Sequence, residues 1–116
     1  MTQTAIGVDI GGSHIACAAI DLSTHRIIPG TGSSRKIDNK AGAVEILDGW
    51  SHAIAGTMAV INKKNLAGIG FAMPGPFDYP NGIALFERVE KYESLFGVNV
   101  SEELRKLTLS KEGAAR

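Results

Sequence analysis

The segment Val8-Asp9-Ile10-Gly11-Gly12-Ser13 constrains this chain more than any other. Residues 5–10 are short, apolar and β-branched, the pattern of a buried strand, and the glycine pair ends it in a sharp turn. The stretch from His14 to Ile20 has enough alanine for a helix. Asp21-Leu22-Ser23-Thr24-His25, however, reads as a turn and Arg26-Ile27-Ile28 as another strand, so two successive hairpins are preferred. Pro29-Gly30-Thr31-Gly32-Ser33-Ser34 is then a loop, followed by a short extended Arg35-Lys36-Ile37. A glycine pair that joins two strands differs from the turn of a Rossmann or P-loop fold, which opens a helix. No G-x-x-x-x-G-K-[ST] occurs, and neither Gly30-Thr31-Gly32 nor Gly68-Ile69-Gly70 is completed to G-x-G-x-x-G.

Between residues 43 and 62 the period changes to that of a helix. Ile46, Leu47, Trp50, Ile54, Met58 and Ile61 share about a third of a helical wheel, with Glu45, Asp48, His52 and Asn62 opposite. Gly42, Gly49 and Gly56 repeat along one border of that stripe, each costing about 1 kcal/mol relative to alanine inside a helix, which close packing against a sheet would justify. Residues 66–73 form a further strand whose glycines admit a neighbouring backbone. Pro74 to Gly82 holds three of the four prolines and closes on the turn signal Asn81-Gly82 before Ile83-Ala84-Leu85-Phe86. Ser101 is the expected N-cap of a short helix through Leu107, with Glu102 and Glu103 in its first turn.

The 116 residues suffice for one domain. Twelve basic and twelve acidic side chains cancel, so no global field draws in nucleic acid, and 44% hydrophobic with 21% charged residues marks a globular chain. No apolar run approaches a membrane span of about 20 residues. The single cysteine, Cys17, excludes an internal disulfide and a multi-cysteine zinc site and suits a reducing, cytoplasmic setting. Within its apolar strand it reads as a buried packing residue. His14, His25 and His52 share no ligand spacing. Lys63-Lys64 and residues 87–91 read as solvated surface.

Chemically, the hairpin motif offers a carboxylate at a strand end as a Mg²⁺ partner, glycine N–H groups free to face phosphate oxygens, and a hydroxyl donor. Taken alone it stands level with an ordinary hairpin turn bearing an exposed aspartate. Ala67-Gly68-Ile69-Gly70-Phe71-Ala72-Met73-Pro74-Gly75-Pro76, followed by Asp78 and Asn81-Gly82-Ile83, is unusual for a loop with no ligand. Asp78 also fits a plain polar turn residue.

Asp9-Ile10-Gly11-Gly12-Ser13, then Gly68 to Pro76 one helix later, then Asn81-Gly82, resemble the start of a ROK-family sugar kinase. The likeness runs in order over residues 6–107. It implies a ribonuclease-H-like (actin-like ATPase) N-terminal lobe of α/β class: three antiparallel strands, a covering helix and a further strand parallel to the first. It implies transfer of the γ-phosphoryl group of Mg-ATP to a hexose. Asp9 would lie near Mg²⁺, through water, and Gly11, Gly12, Ser13 and His14 would meet the ATP phosphates. Pro74, Gly75, Pro76 and Asp78 would border the sugar. Where Ser13 stands the family usually has threonine, and where His14 stands it often has lysine, so a fixed positive charge is lacking at that position. The family's Asn-Asp pair carrying the catalytic base, its sugar-gripping glutamates and histidine, and its cysteine-rich zinc motif are absent from residues 1–116.

The resemblance therefore implies a lobe cut before its catalytic strand, inactive alone, with uncovered apolar surface and a tendency to self-associate. Its partners would be ATP and a hexose, without nucleic acid or membrane, and the complete family protein would be a homodimer. The alternatives are a non-catalytic remnant or partner subunit, and part of a sugar-responsive transcriptional regulator of the same family.

Overall fold

The computed structural model describes residues 3–74, 77–85 and 91–114, with side chains through Leu107 in the last helix. Strand β1 (Thr4–Ile10) pairs antiparallel with β2 (His14–Asp21), from Thr4 opposite Asp21 to Ile10 opposite Ile15. β3 (Arg26–Ile27) and β4 (Ser33–Lys36) both lie on the far side of β2, one beside Ile20 and Asp21, the other beside residues 14–17. They amount to one interrupted third strand. Thr31 fixes the interruption: its hydroxyl donates to the Ile28 carbonyl at 2.7 Å and accepts the Ala19 N–H at 3.0 Å. The Thr57 hydroxyl donates to the Thr31 carbonyl at 2.8 Å.

The expected parallel strand is present. β5 (Leu66–Ala72) lies beside β1 and completes the order β3/β4-β2-β1-β5, a mixed α/β sheet. Strand alternation sends Ile6, Val8, Ile10, Ile15, Cys17 and Ala19 to one face, where they are buried beneath helix α1 (Ala43–Met58). Ala5, Gly7, Asp9, Ala16, Ala18, Gly68, Gly70 and Ala72 fall on the other face, which nothing among the described residues covers. A Cβ at Gly68 or Gly70 would meet nothing within 4 Å, so the close backbone approach expected there is not made by the described residues.

α1 stops four residues short of the expected end. Val60 and Ile61 donate to Thr57 and Met58 in tightened turns, and the Asn62 side chain then accepts the Lys64 N–H at 3.1 Å, capping a 3-10 turn, Lys63–Asn65. Ile61 still packs against the core, which is why the apolar period outlasts the helix. Of the three spaced glycines, Gly42 is the N-cap, while Gly49 and Gly56 are interior. A Cβ at Gly49 would sit 2.7 Å from Ile37 Cδ1 and one at Gly56 2.6 Å from Ser33 Oγ, so β4 and the residue after it lie directly across the glycine border.

After β5, the short strands β6 (Phe77–Asp78) and β7 (Ile83–Ala84) form a separate hairpin closed by Asn81-Gly82. Gly82 has φ +70°, a left-handed conformation, and its Cβ position is already occupied by the Ser101 hydroxyl, so glycine is required there on both counts. Helix α2 (Val100–Ala114) packs Leu104 against the core and outruns its expected end at Leu107. Ser101 is not its N-cap. The Asn99 side chain accepts the Glu102 N–H at 3.0 Å, and Ser101 lies in the first turn, because the Gly82 carbonyl already takes the Val100 N–H at 2.8 Å and fixes the chain one residue earlier. No helix among the described residues is long and apolar enough to cross a membrane.

Candidate functional site

Because β1 and β5 are parallel and Asp9 is abreast of Ala72, the Gly11-Gly12 turn and the Met73-Pro74 segment leave the sheet from the same end. Carboxyl ends of neighbouring parallel strands are where open α/β sheets bind ligands. Asp9 is exposed on the uncovered face, where it borders an open recess of about 550 Å³ walled by Gly7, Ala16, Ala18, Gly70 and Ala72. Its carboxylate makes no ion pair or hydrogen bond among the described residues.

The turn is held by its carbonyls. Tyr92 donates its hydroxyl to the Gly11 carbonyl at 2.6 Å, the Asn39 amide donates to the Gly12 carbonyl, and the Ile37 N–H donates to the Ser13 carbonyl at 2.9 Å. Gly11 N–H donates to the His14 carbonyl at 2.8 Å, while the N–H groups of Gly12 and Ser13 have no acceptor among the described residues. With its acceptors occupied and two N–H donors open, the turn has donors to spare and no acceptors, which suits an anion.

The glycines are not there for the fold. Neither Gly11 nor Gly12 has positive φ. A Cβ would meet His14 at an ordinary 3.5 Å in the first case and only the Lys91 stem at 3.9 Å in the second. A methyl group fits both positions sterically, so what glycine leaves clear is the approach from outside.

Tyr92 anchors this arrangement and was invisible in the sequence pattern. It is fully buried, meets Trp50 edge to face with centroids 5.2 Å apart, and donates its N–H to the Asn39 carbonyl at 2.7 Å. Burial pushes its phenol above the ordinary value, with the Trp50 indole opposing. Its backbone is left-handed, φ 56° and ψ 22°, a strain worth about 1–2 kcal/mol that the surrounding contacts hold in place.

Of the residues expected near a sugar, Pro74 is partly buried at the start of the loop; Gly75 and Pro76 lie outside the described residues, as do Phe86 and residues 87–90 of the charged run. Asp78 accepts both the Asn81 N–H at 3.2 Å and its side-chain amide at 2.9 Å, closing the β6–β7 hairpin. The Tyr79 hydroxyl spans the Met73 backbone, accepting its N–H at 2.9 Å and donating to its carbonyl at 3.0 Å, and so fixes where the proline loop departs. No group of three or more His, Cys, Asp or Glu among the described residues is placed to hold a metal.

No protein-family model matches the sequence, and no curated protein does. Solved structures match along nearly the whole chain. An inorganic polyphosphate/ATP-glucomannokinase from Arthrobacter sp. strain KM superposes with TM-score 0.71 at 18% identity, over 91% of this chain and 41% of that one. A ROK hexokinase from Thermus thermophilus superposes with TM-score 0.64 at 20% identity, over 91% and 32%. A ROK family glucokinase from Streptomyces griseus, solved with glucose and AMPPNP, gives 0.64 at 24% identity, over 89% and 30%. The chain has the fold of a ROK kinase lobe. It spans less than half the length of each of these three proteins.

Proposed function

We propose that this chain supplies the phosphate-binding hairpin and one wall of the sugar site of an ATP-dependent hexose kinase. The observation that carries the reading is the Gly11–Ser13 turn, whose carbonyls are all tied inward and whose glycines are demanded by neither φ nor crowding. The kinase lobe fold of the structural neighbours supports the same reading. Gly12 and Ser13 N–H groups would meet phosphate oxygens, with the Ser13 hydroxyl and His14 beside them. One exposed carboxylate suits Mg²⁺, which keeps most of its waters and binds through one or two carboxylates plus substrate phosphates, so Asp9 would hold the ion through water. When bound, the ion offsets phosphate charge during in-line transfer. Pro74, Gly75, Pro76 and Asp78 would border the hexose.

Residues 1–116 contain no Asn-Asp pair to act as base. A general base contributes about 10² to 10⁴ in rate, and loss of substrate positioning costs more, so residues 1–116 alone should not turn over sugar. The reduced, buried Cys17 suits a cytoplasmic location. Two measurements test the reading. Titration with Mg-ATP should shift the Gly11, Gly12 and Ser13 amide resonances, and their silence at millimolar ligand would remove the hairpin from the site. A coupled ADP-release assay over a hexose panel should show no turnover, and robust glucose-dependent release would refute the missing base.

A further inference from the structure

The turn lacks one thing a phosphate site needs. None of Gly11, Gly12, Ser13 or His14 is permanently cationic, and Asp9 adds a negative charge. Yet the turn is bolted to a cationic recess. Asn39, Lys40, Lys91, Glu93 and Ser94 line a polar hollow of about 350 Å³. Asn39, on its wall, is the residue that donates to the Gly12 carbonyl. The stem of Lys91 passes 3.9 Å from where a Gly12 Cβ would stand. Its lining holds two lysines and one acid, and neither lysine forms an ion pair among the described residues.

The walls are also fixed before any ligand arrives. The Tyr92 N–H donates to the Asn39 carbonyl at 2.7 Å and the Ser94 hydroxyl to the Ala41 carbonyl at 2.7 Å, so segments 39–41 and 92–94 are zipped together. Lys91 precedes the fully buried Tyr92, whose hydroxyl holds Gly11, and Lys40 follows Asn39, whose amide holds Gly12. Each cation is thus one residue from a side chain that grips the turn. The backbone that carries both cations is therefore held in place, which lowers the ordering cost of binding.

We infer that Lys40 and Lys91 form the cationic half of a binding site for a chain of linked phosphates, whose other half is the pair of open N–H groups at Gly12 and Ser13. This rests on the hairpin reading above and extends it to residues outside the motif. The phosphates belong either to a nucleoside triphosphate or to an inorganic oligophosphate, which present the same oxygens to the recess.

The test is an amide-resolved titration of the full chain with Mg-ATP and, separately, with magnesium tripolyphosphate, repeated on Lys91→Ala, Lys91→Arg and Lys40→Ala. Both lysines are surface residues, so the variants should keep the wild-type melting curve, which is checked first. The parent should show shifts at Gly12, Ser13, Lys40 and Lys91 together. Loss of a charged hydrogen bond predicts about tenfold weaker binding in Lys91→Ala, with Lys91→Arg within about threefold of the parent. Equal loss for both ligands assigns recognition to the phosphates themselves, whereas binding of tripolyphosphate without Mg-ATP assigns an inorganic source. Shifts in the turn that neither alanine variant weakens would leave the hairpin reading intact and overturn this inference. Shifts at Lys40 and Lys91 with the turn silent would keep the cationic recess and remove the hairpin. Silence everywhere at millimolar ligand would overturn both.

Discussion

Replacing Tyr92 by phenylalanine removes one hydroxyl and leaves the rest of the anchor in place. The ring stays buried against Trp50, the left-handed backbone is unchanged, and the N–H still reaches Asn39. What is lost is the 2.6 Å hydrogen bond to Gly11, which joins residues 81 positions apart, together with the phenol oxygen's polar contact with the Trp50 indole. Gly11 is only partly buried, so water can satisfy its carbonyl and the cost should be the ordinary net value of a hydrogen bond, about 0.5–1.5 kcal/mol, rather than a full desolvation penalty. For a chain of this size about 1 kcal/mol lowers the melting midpoint by roughly 4 °C. Tyr92→Gly provides the contrast. It relieves about 1–2 kcal/mol of left-handed strain but forfeits about 3–5 kcal/mol of buried aromatic packing, so packing wins and the variant loses several degrees more. Urea melts and amide exchange at Gly11, whose N–H is held by the His14 carbonyl, should show the phenylalanine variant modestly less stable, with the turn exchanging faster than β1. An unchanged midpoint with unchanged turn exchange would refute the tie between Tyr92 and the hairpin.

Other outcomes follow from particular contacts. Gly49→Ala gains about 1 kcal/mol of helix propensity but forces aside a buried Ile37 methyl at a cost of about 1–3 kcal/mol, so it should lower the urea midpoint, and Ile37→Val, which deletes that methyl, should restore part of the loss. Burial raises the Cys17 thiol to about 11 from 9.0, so its contribution is complete below pH 9 and fades as pH climbs from 9 to 11; the pH slope of urea stability there should flatten in Cys17→Ala, and the native thiol should resist thiol reagents at pH 8. Asp9→Asn, at an exposed strand end, should leave stability within about 0.5 kcal/mol while abolishing any preference for Mg-ATP over metal-free ATP, as read by the turn amides. The outer edge of β5 has no partner among the described residues, Ile69 is 38% exposed, and an apolar recess of about 310 Å³ opens beside it between Ile54, Met58, Phe71 and Leu104, so the chain should self-associate; a cooperative, concentration-independent melt of a monomer would contradict this.

β1 and α1 were legible locally, the one as a short apolar, β-branched run stopped by two glycines and the other as an apolar stripe, whereas β2 was separated from a helix only by the turn and strand that follow it. What sequence could not show is where distant residues settle the matter. The break between β3 and β4 depends on one threonine hydroxyl shared between the Ala19 N–H and the Ile28 carbonyl, and on a second threonine 26 residues away. The start of α2 depends on Asn99 and on the Gly82 carbonyl, whereas the sequence alone offered Ser101 as an equally good cap.

The site divides in the same way. Its motif half, Asp9 to Ser13, is contiguous and therefore readable, but a motif fixes only which atoms are offered. Whether the turn presents N–H groups or carbonyls outward depends on what captures the carbonyls, and those captors are Ile37, Asn39 and Tyr92, from two segments with no pattern of their own. Lys91 ended a run that reads as solvated charge, and what changes its meaning is that its stem lies beside a glycine 79 positions earlier, too distant for any local period to register. An ordinary turn would spend its glycines on positive φ or on crowding, as Gly82 does, whereas Gly11 and Gly12 have neither and leave open a space that the described residues do not fill.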